Sequence, residues 1–384
     1  MWRSIASNTL TLLIVGLFLL GGLILWGQRQ YETTGPLDAA ICLRVERGSN
    51  MKAVSRDLEA QGAITNGMIF RLGADYDDKA GRLKAGSFLV PAGASMEEIV
   101  DAVTRGGAST CGTEIVYRIG VTRVTAQLRD LDPETGQFAE VAAFDPLAED
   151  EPGVFAEKRA EPDTRYRIAM AEGVTSWQVA EGLKAAKFLA GDVDEVPPEG
   201  MLAPDSYEVT AGADRAALLG QMQEAQQLRL NSAWESRAEG LPLRTPEELL
   251  ILASIIEKET GVPEERGAVA SVFVNRLEQG MRLQTDPTVI YGITKGKAVL
   301  GRGLRQSELR TRTPWNTYVI PALPPTPIAN PGQASLEAAA DPDSTSYVFF
   351  VADGSGGHAF AETLEEHNRN VAKWREIEAQ RASD

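Results

Sequence analysis

The chain has 384 residues, enough for two or three compact domains with full cores, and carries 54 Asp and Glu against 38 Lys and Arg. A formal charge of -16 excludes the basic footprint that nucleic-acid phosphates require, and with it a polybasic membrane-surface patch. With 2 His in the whole chain, a His-rich zinc site cannot be assembled, and no phosphate-binding Gly loop or Ser-His-Asp signature is present.

Residues 10–27 read LTLLIVGLFLLGGLILWG, an uncharged run long enough to cross a bilayer. Trp2 and Trp26 bracket it at interfacial positions. The run exceeds a usual signal-peptide core, and QRQY at 28–31 follows instead of a small-x-small cleavage site. The expectation is an uncleaved transmembrane helix at 10–27 with residues 1–9 as a cytoplasmic tail; a cleaved signal peptide is the alternative. Arg3 and the amino terminus before the span, with Arg29 after it, favour an exported body.

A linker at 28–38, containing ETTGP, leads to a small α+β unit at 39–112. Residues 41–48 read as a strand ending in a turn glycine, followed by a helix through Leu58. Residues 83–89 read as a second strand, and Ser95 with Glu98 opens a capped helix to about Thr104. Cys42 lies in the first strand and Cys111 just past the last helix, so a disulfide would staple the ends of the unit in an oxidising space. Two buried free thiols are the alternative.

A connecting region at 113–200 follows. Within it Gly173, Val179 and Leu183 repeat the spacing of Gly48, Val54 and Leu58, which predicts a second strand–helix unit. Residues 132–163, rich in Asp, Glu, Pro and Ala, read as a mobile acidic insertion.

The last region, 201–384, contains the most informative helix. Thr245 is a natural N-cap, Pro246 suits the first helical position, and Glu248 completes a capping box. Gly261 is expected to end the helix in a left-handed conformation, with Pro263 beyond. Between these limits Leu249, Leu250, Leu252, Ala253, Ile255 and Ile256 make the helix apolar on most of its circumference. Glu259 lies one turn beyond Ile255 and Ile256 and two beyond Leu252, so it caps an aliphatic stripe; Glu257 lies above Ala253 and Ser254, and Lys258 points away from both. Desolvation and the negative helix end both favour the protonated form of Glu259, as a general acid requires. The plain alternative is two surface glutamates in a fraying last turn.

Further on, a second capped helix is expected at 263–279, ended by Gly280, then a rigid proline-rich loop over a cleft at 313–332. A buried strand at 346–353 and a closing helix at 363–379 complete the region. The fold class expected is α+β.

Residues 202–373 resemble the YceG-like family of endolytic murein transglycosylases. The segments that carry the resemblance are ASIIEKET (253–260), ASVFVNRL (270–277), MRLQTDPTVIYG (281–292), NTY (316–318), LPP (323–325), NPG (330–332) and YVFFVADG (347–354), with Gly357 and His358. The segment GMLAPDSY (200–207) departs from the family's element, carrying Ser206 where the family has Thr and no aromatic residue before the proline.

The resemblance implies a lyase, working without cofactor, that cleaves peptidoglycan strands between MurNAc and GlcNAc and leaves 1,6-anhydroMurNAc ends. Glu259 is its implied acid and base. Residues 39–112 resemble the LysM-like module that precedes the catalytic region in this family, and such modules bind GlcNAc-containing glycans; a spacer without sugar affinity is the alternative. Also implied are an inner-membrane location with a periplasmic body, work near peptidoglycan polymerases, and a role in setting glycan chain length.

Gln284, Asp286, Tyr291, Asn316 and Tyr318 are candidate sugar contacts, each able to serve equally as a fold-holding hydrogen bonder, and Asp286-Pro287 reads as a turn or cap. His358, in a glycine-rich turn, reads as loop-stabilising. A hydrolytic muramidase using Asp286 as second carboxylate, and a non-catalytic glycan-binding scaffold, remain open alternatives.

Overall fold

The computed structural model describes residues 2–105, 110–161 and 163–381. The side chains of residues 1–10, Trp2 and Arg3 among them, lie outside the described set. The chain divides into two compact units, one formed by 1–115, 127–143 and 151–165, the other by 116–126, 144–150 and 166–384.

The first unit begins with helix α1 (Trp2–Glu32), whose Thr11–Glu32 stretch is long and apolar enough to cross a membrane. Strand β1 (Ile41–Val45) runs into a turn at Gly48, where φ of 80° requires glycine, and then into α2 (Met51–Ala60), N-capped by Asn50. Helix α3 (Gly67–Tyr76) is capped by Asn66, strand β2 (Gly86–Val90) pairs antiparallel with β1, and α4 (Met96–Thr104) starts from a complete Ser95–Glu98 capping box. Strand β2 starts three residues later than expected, because residues 83–85, after a 3-10 turn at Ala80–Arg82, take no regular structure. A disulfide joins Cys42 of β1 to Cys111, with Cα atoms 5.7 Å apart, inside the range that unstrained bridges use.

Strands β3 (Thr113–Ile119), β4 (Val124–Asp132) and β5 (Gln137–Phe144) come next, followed by α5 (Gly153–Ala160). The 132–163 segment therefore differs from expectation, since it carries β5 and α5. Phe155 is 1% exposed, the Phe138 ring lies beneath the guanidinium groups of Arg129 and Arg165, and Asp163 accepts from the Ser87 hydroxyl and pairs with Arg44. Three aromatic anchors, Phe138, Phe144 and Phe155, give the acidic segment enough apolar surface to order.

In the second unit, β6 (Arg165–Met170) leads through Gly173, at φ 76°, into α6 (Ser176–Ala185), whose Thr175–Gln178 capping box is complete. The chain thereby repeats the β1–turn–α2 arrangement, and Val54, Leu58, Val179 and Leu183 are all buried. Strand β7 (Ser206–Val209) pairs antiparallel with β6, with Ile168 opposite Tyr207.

Helix α7 (Arg215–Glu235) precedes α8 (Pro246–Glu259), the centre of the unit, in which all eight residues from Leu249 to Ile256 are buried. Thr245 caps α8 as expected, but Glu248 reaches back to the Arg244 N–H rather than to that of Thr245. The other end corrects the sequence reading. Gly261 has no left-handed φ, and α8 stops because Thr260 turns extended, at φ -135° and ψ 135°.

A 3-10 turn at Pro263–Glu265 and α9 (Arg266–Glu278) replace the single capped helix expected at 263–279; Gly280 does adopt the left-handed turn, at φ 66°. Helices α10 (Asp286–Thr294), α11 (Gln306–Arg310) and α12 (Gln333–Ala340) follow, with no regular element between Thr311 and Gly332. Strands β8 (Phe349–Ala352) and β9 (His358–Ala361) form an antiparallel hairpin packed on α13 (Leu364–Arg381). A two-stranded hairpin covers little, so β8 is half-buried rather than buried.

Candidate active site

The candidate site is built around the carboxyl end of α8, in the second unit. The three charged residues there face different surroundings. Oε2 of Glu257 accepts from the Gly332 N–H at 3.0 Å and from the Ser335 hydroxyl at 2.7 Å, so this side chain caps the start of α12. Lys258 donates to the Gly173 carbonyl at 3.1 Å, and burial lowers its pKa.

Glu259 takes a different path. It is held on the aliphatic stripe, its Oε1 accepts from the Thr285 hydroxyl, and desolvation raises its pKa. The Thr285 bond and the positive charges of His358 and Arg276 work in the opposite direction, and the neighbouring Asp286 adds to the rise. Burial wins.

The segment facing Glu259 is locked in place. Arg276, 7% exposed, donates through Nε to the Val348 carbonyl at 2.7 Å and through a terminal nitrogen to the Leu283 carbonyl. The next residue, Gln284, is exposed and sits at φ 49°, a conformation that non-glycine residues rarely hold and that concentrates at functional loops. Thr285 follows, buried, with its N–H on the Thr317 hydroxyl at 3.0 Å. Asp286 opens α10 and accepts from the Tyr318 hydroxyl at 2.7 Å. His358 is fixed through Nδ1 to Glu265 at 2.8 Å, with its backbone N–H on the other oxygen of the same carboxyl group.

Of the sequence candidates, Asp286 and Tyr318 lie close enough to Glu259 to act on it electrostatically, and Gln284 is the residue before Thr285. Tyr291 is engaged elsewhere. Its hydroxyl donates to Glu199 at 3.1 Å, and its ring packs 5.8 Å from that of Trp315.

Asn316 makes the hydrogen bonds of the fold-holding alternative. It is fully buried, its amide donates to the carbonyls of Glu308, Leu309 and Thr311 at 3.1, 3.0 and 2.7 Å, and its oxygen accepts from the Tyr318 N–H. Both amide hydrogens are committed and the side chain is fully buried, so Asn316 holds the loop that presents Tyr318.

Sequence reasoning missed Thr285 and Glu199. Thr285 had a signal, since the residue before Asp286-Pro287 stands where a helix cap would. Glu199 is a buried carboxyl group that accepts from the Ser176 N–H at 2.8 Å as well as from Tyr291, yet desolvation still raises its pKa. Its neighbours come from α6 and α10, and nothing near it in sequence foretells them.

Known proteins are similar to this chain over most of its length. The model of the YceG-like family matches residues 43–373. A Bacillus subtilis protein named endolytic murein transglycosylase is 29% identical over 93% of this chain and 91% of its own length. A Streptococcus pneumoniae protein of the same name is 24% identical over 88% of this chain, which spans 60% of that longer relative. A crystal structure of a yceG-like protein from Listeria monocytogenes aligns over 86% of this chain and 98% of its own, at 23% identity and a TM-score of 0.47. The chain belongs to the YceG-like family.

Proposed function

We propose that this chain is a membrane-anchored endolytic lytic transglycosylase that cuts peptidoglycan strands between MurNAc and GlcNAc. The observation that carries the reading is Glu259, a carboxyl group on the buried stripe of α8 whose pKa desolvation pushes up. Such a group keeps its proton above the ordinary carboxylate range and can deliver it to the glycosidic oxygen as the C1–O bond breaks. The C6 hydroxyl of the same MurNAc then attacks C1 and passes its proton to the Glu259 carboxylate. One C–O bond is exchanged for another, no water is consumed, and Glu259 ends as it began. An internal nucleophile has high effective molarity, so a single carboxyl group suffices.

In this reading Gln284, Asp286 and Tyr318 contact sugar from the segment opposite Glu259, while Tyr291 acts from α10 and Glu257 only supports α12. Residues 201–384 form the catalytic domain, 113–200 connect it, and 39–112 form a LysM-like unit. The names of the curated relatives support the substrate. The reading extends to work beside peptidoglycan polymerases, limiting nascent strand length.

The location that goes with this reading is the inner membrane, with the body in the periplasm, and an uncleaved anchor is supported by Tyr31. This residue, in the last turn of α1, is 6% exposed and belongs to the hydrophobic core of the first unit. Signal peptidase needs accessible, extended backbone, and here the helix runs unbroken into packed structure.

The test is mass spectrometry of products from purified peptidoglycan. Internal fragments ending in 1,6-anhydroMurNAc, lost in Glu259→Gln, are expected. Reducing MurNAc ends would instead assign a hydrolase with Asp286 as the second carboxylate, and no cleavage by the unaltered protein would leave a glycan-binding scaffold.

A further inference from the structure

Helix α3 of the first unit carries an apolar stripe on its outer side. Met68, Leu72 and Tyr76 follow one another at one-turn intervals and are 63%, 60% and 91% exposed, while Phe70 and Ala74 on the other side are fully buried. Three large apolar side chains in one exposed row on a ten-residue helix are unusual for a surface facing water.

Their position relative to α1 gives the row a meaning. Helix α3 is held hard against the last turns of α1. The Tyr31 ring occupies the space that a Cβ on Gly73 would need, at 2.3 Å, and the Tyr31 hydroxyl donates to Asp77 at 3.0 Å. A groove of about 350 Å³ runs between the helices, its apolar wall formed by Leu23 and Ile24 of α1 and by Ile69, Leu72 and Tyr76 of α3, with Gln28, Glu32, Asp77 and Glu97 as its polar lining. The stripe is therefore continuous with the apolar surface of α1, whose side chains from Leu12 to Trp26 are also uncovered. Trp26 lies between the two groove-lining stretches of α1 and is 54% exposed. A tryptophan at the end of a spanning helix marks headgroup depth, and tyrosine favours the same layer. A helix abreast of Trp26, ending in Tyr76, lies at that depth.

We infer that α3 is an interfacial foot: it lies in the lipid headgroup layer, with Met68, Leu72 and Tyr76 directed toward the acyl chains. This rests on the reading of α1 as a membrane span. The foot ties the 39–112 unit to the bilayer surface through packed structure rather than through a free linker. The occupant of the groove and stripe is lipid, because both are continuous with a helix surface that only lipid would cover.

The test uses the full chain in vesicles of phosphatidylethanolamine and phosphatidylglycerol, with the native disulfide kept oxidised. An environment-sensitive fluorophore is placed on Met68→Cys or Leu72→Cys, on the exposed strand position Val141→Cys as control, and on Leu20→Cys within α1. Lipids carrying a nitroxide near the headgroup should quench the labels at 68 and 72 about twofold or more, and leave 141 unaffected. Aqueous iodide should show the opposite order. Deep nitroxides should quench the label at 20. Labels at 68 and 72 as open to iodide as that at 141, with 20 still quenched from the bilayer, would place α3 in water and overturn the foot alone. Failure of deep quenching at 20 would remove the span and the foot with it. Shielding from iodide without lipid quenching, lost on diluting the protein in lipid, would assign the stripe to a second copy and overturn the proposal.

Discussion

Thr285 donates its hydroxyl to Oε1 of Glu259, and Thr285 is itself held by the Thr317 hydroxyl on its N–H, at 3.0 Å. The candidate acid is thus oriented from the segment opposite, not from its own helix. Because a donor to a carboxyl oxygen favours the ionised form, this bond works against the burial that raises the Glu259 pKa.

Thr285→Val keeps the shape and removes the donor. Glu259 must start protonated, so activity should fall as pH rises through its folded pKa. With the opposing bond gone that pKa moves higher, and the alkaline limb of kcat/KM against pH should shift to higher pH. A limb that stayed in place, or moved toward acid, would detach Thr285 from the titration of Glu259.

Glu259→Gln removes the proton donor, and cleavage should fall about 100-fold to 10,000-fold. Stability should respond in the other direction. The folded pKa of Glu259 is raised above its unfolded value, so its contribution is complete below the unfolded pKa, near 4.3 for glutamate, and is lost as pH rises through the folded pKa. Glutamine escapes that loss. The Tm of Glu259→Gln minus that of the unaltered protein should therefore grow as pH rises above this range; a difference independent of pH would show that Glu259 does not titrate with folding.

What the sequence made legible here was local. The Thr245 cap, the Ser95 capping box and the stripe along α8 are set by residues within one or two helical turns, and the structure has them. The partner of Glu257 lies in residues 332–335, more than seventy positions away, and no spacing rule reaches that far. Asn316 looked like a ligand group because a polar residue in a loop has no signature that separates binding from bracing. In 132–163 net acidity masked three aromatic side chains. Composition averages over a segment, whereas order needs only a few well-placed anchors.

Glu257→Ala should act on stability. Its carboxyl group satisfies the Gly332 N–H and the Ser335 hydroxyl at the start of α12, which packs on α8, and their loss should cost about 2 kcal/mol. Denaturant unfolding should show this as a lower midpoint, with cleavage per folded molecule largely kept. Loss of cleavage at full stability would exchange the roles of Glu257 and Glu259.

The Cys42–Cys111 bridge closes a loop with a sequence separation of 69, for which the chain-entropy model gives about 4 kcal/mol. Changing both residues to Ala should lower the denaturant midpoint, with m little altered if the unfolded chain is already open. Denatured, unreduced protein from an oxidising compartment should contain no titratable thiol. Two thiols per chain would show that the bridge does not form there.

Asn316 offers the sharpest separation of bracing from binding. Its amide supplies three backbone carbonyls and its oxygen receives the Tyr318 N–H at 3.0 Å, while Tyr318 in turn holds Asp286 at 2.7 Å. Asn316→Ala leaves those buried groups short of partners, at a cost of about 1–3 kcal/mol, and should lower kcat/KM by loosening Tyr318 and Asp286. Asn316→Asp has nearly the same size and can still accept from Tyr318, but it sets a carboxyl oxygen against three carbonyl oxygens. It should therefore destabilise at least as much as alanine. A sugar contact would behave differently, since an exposed carboxyl group can accept from a hydroxyl as an amide oxygen does, and the Asp variant would then keep full stability. Comparison of Tm for the two variants, with kcat/KM measured beside it, decides between these roles.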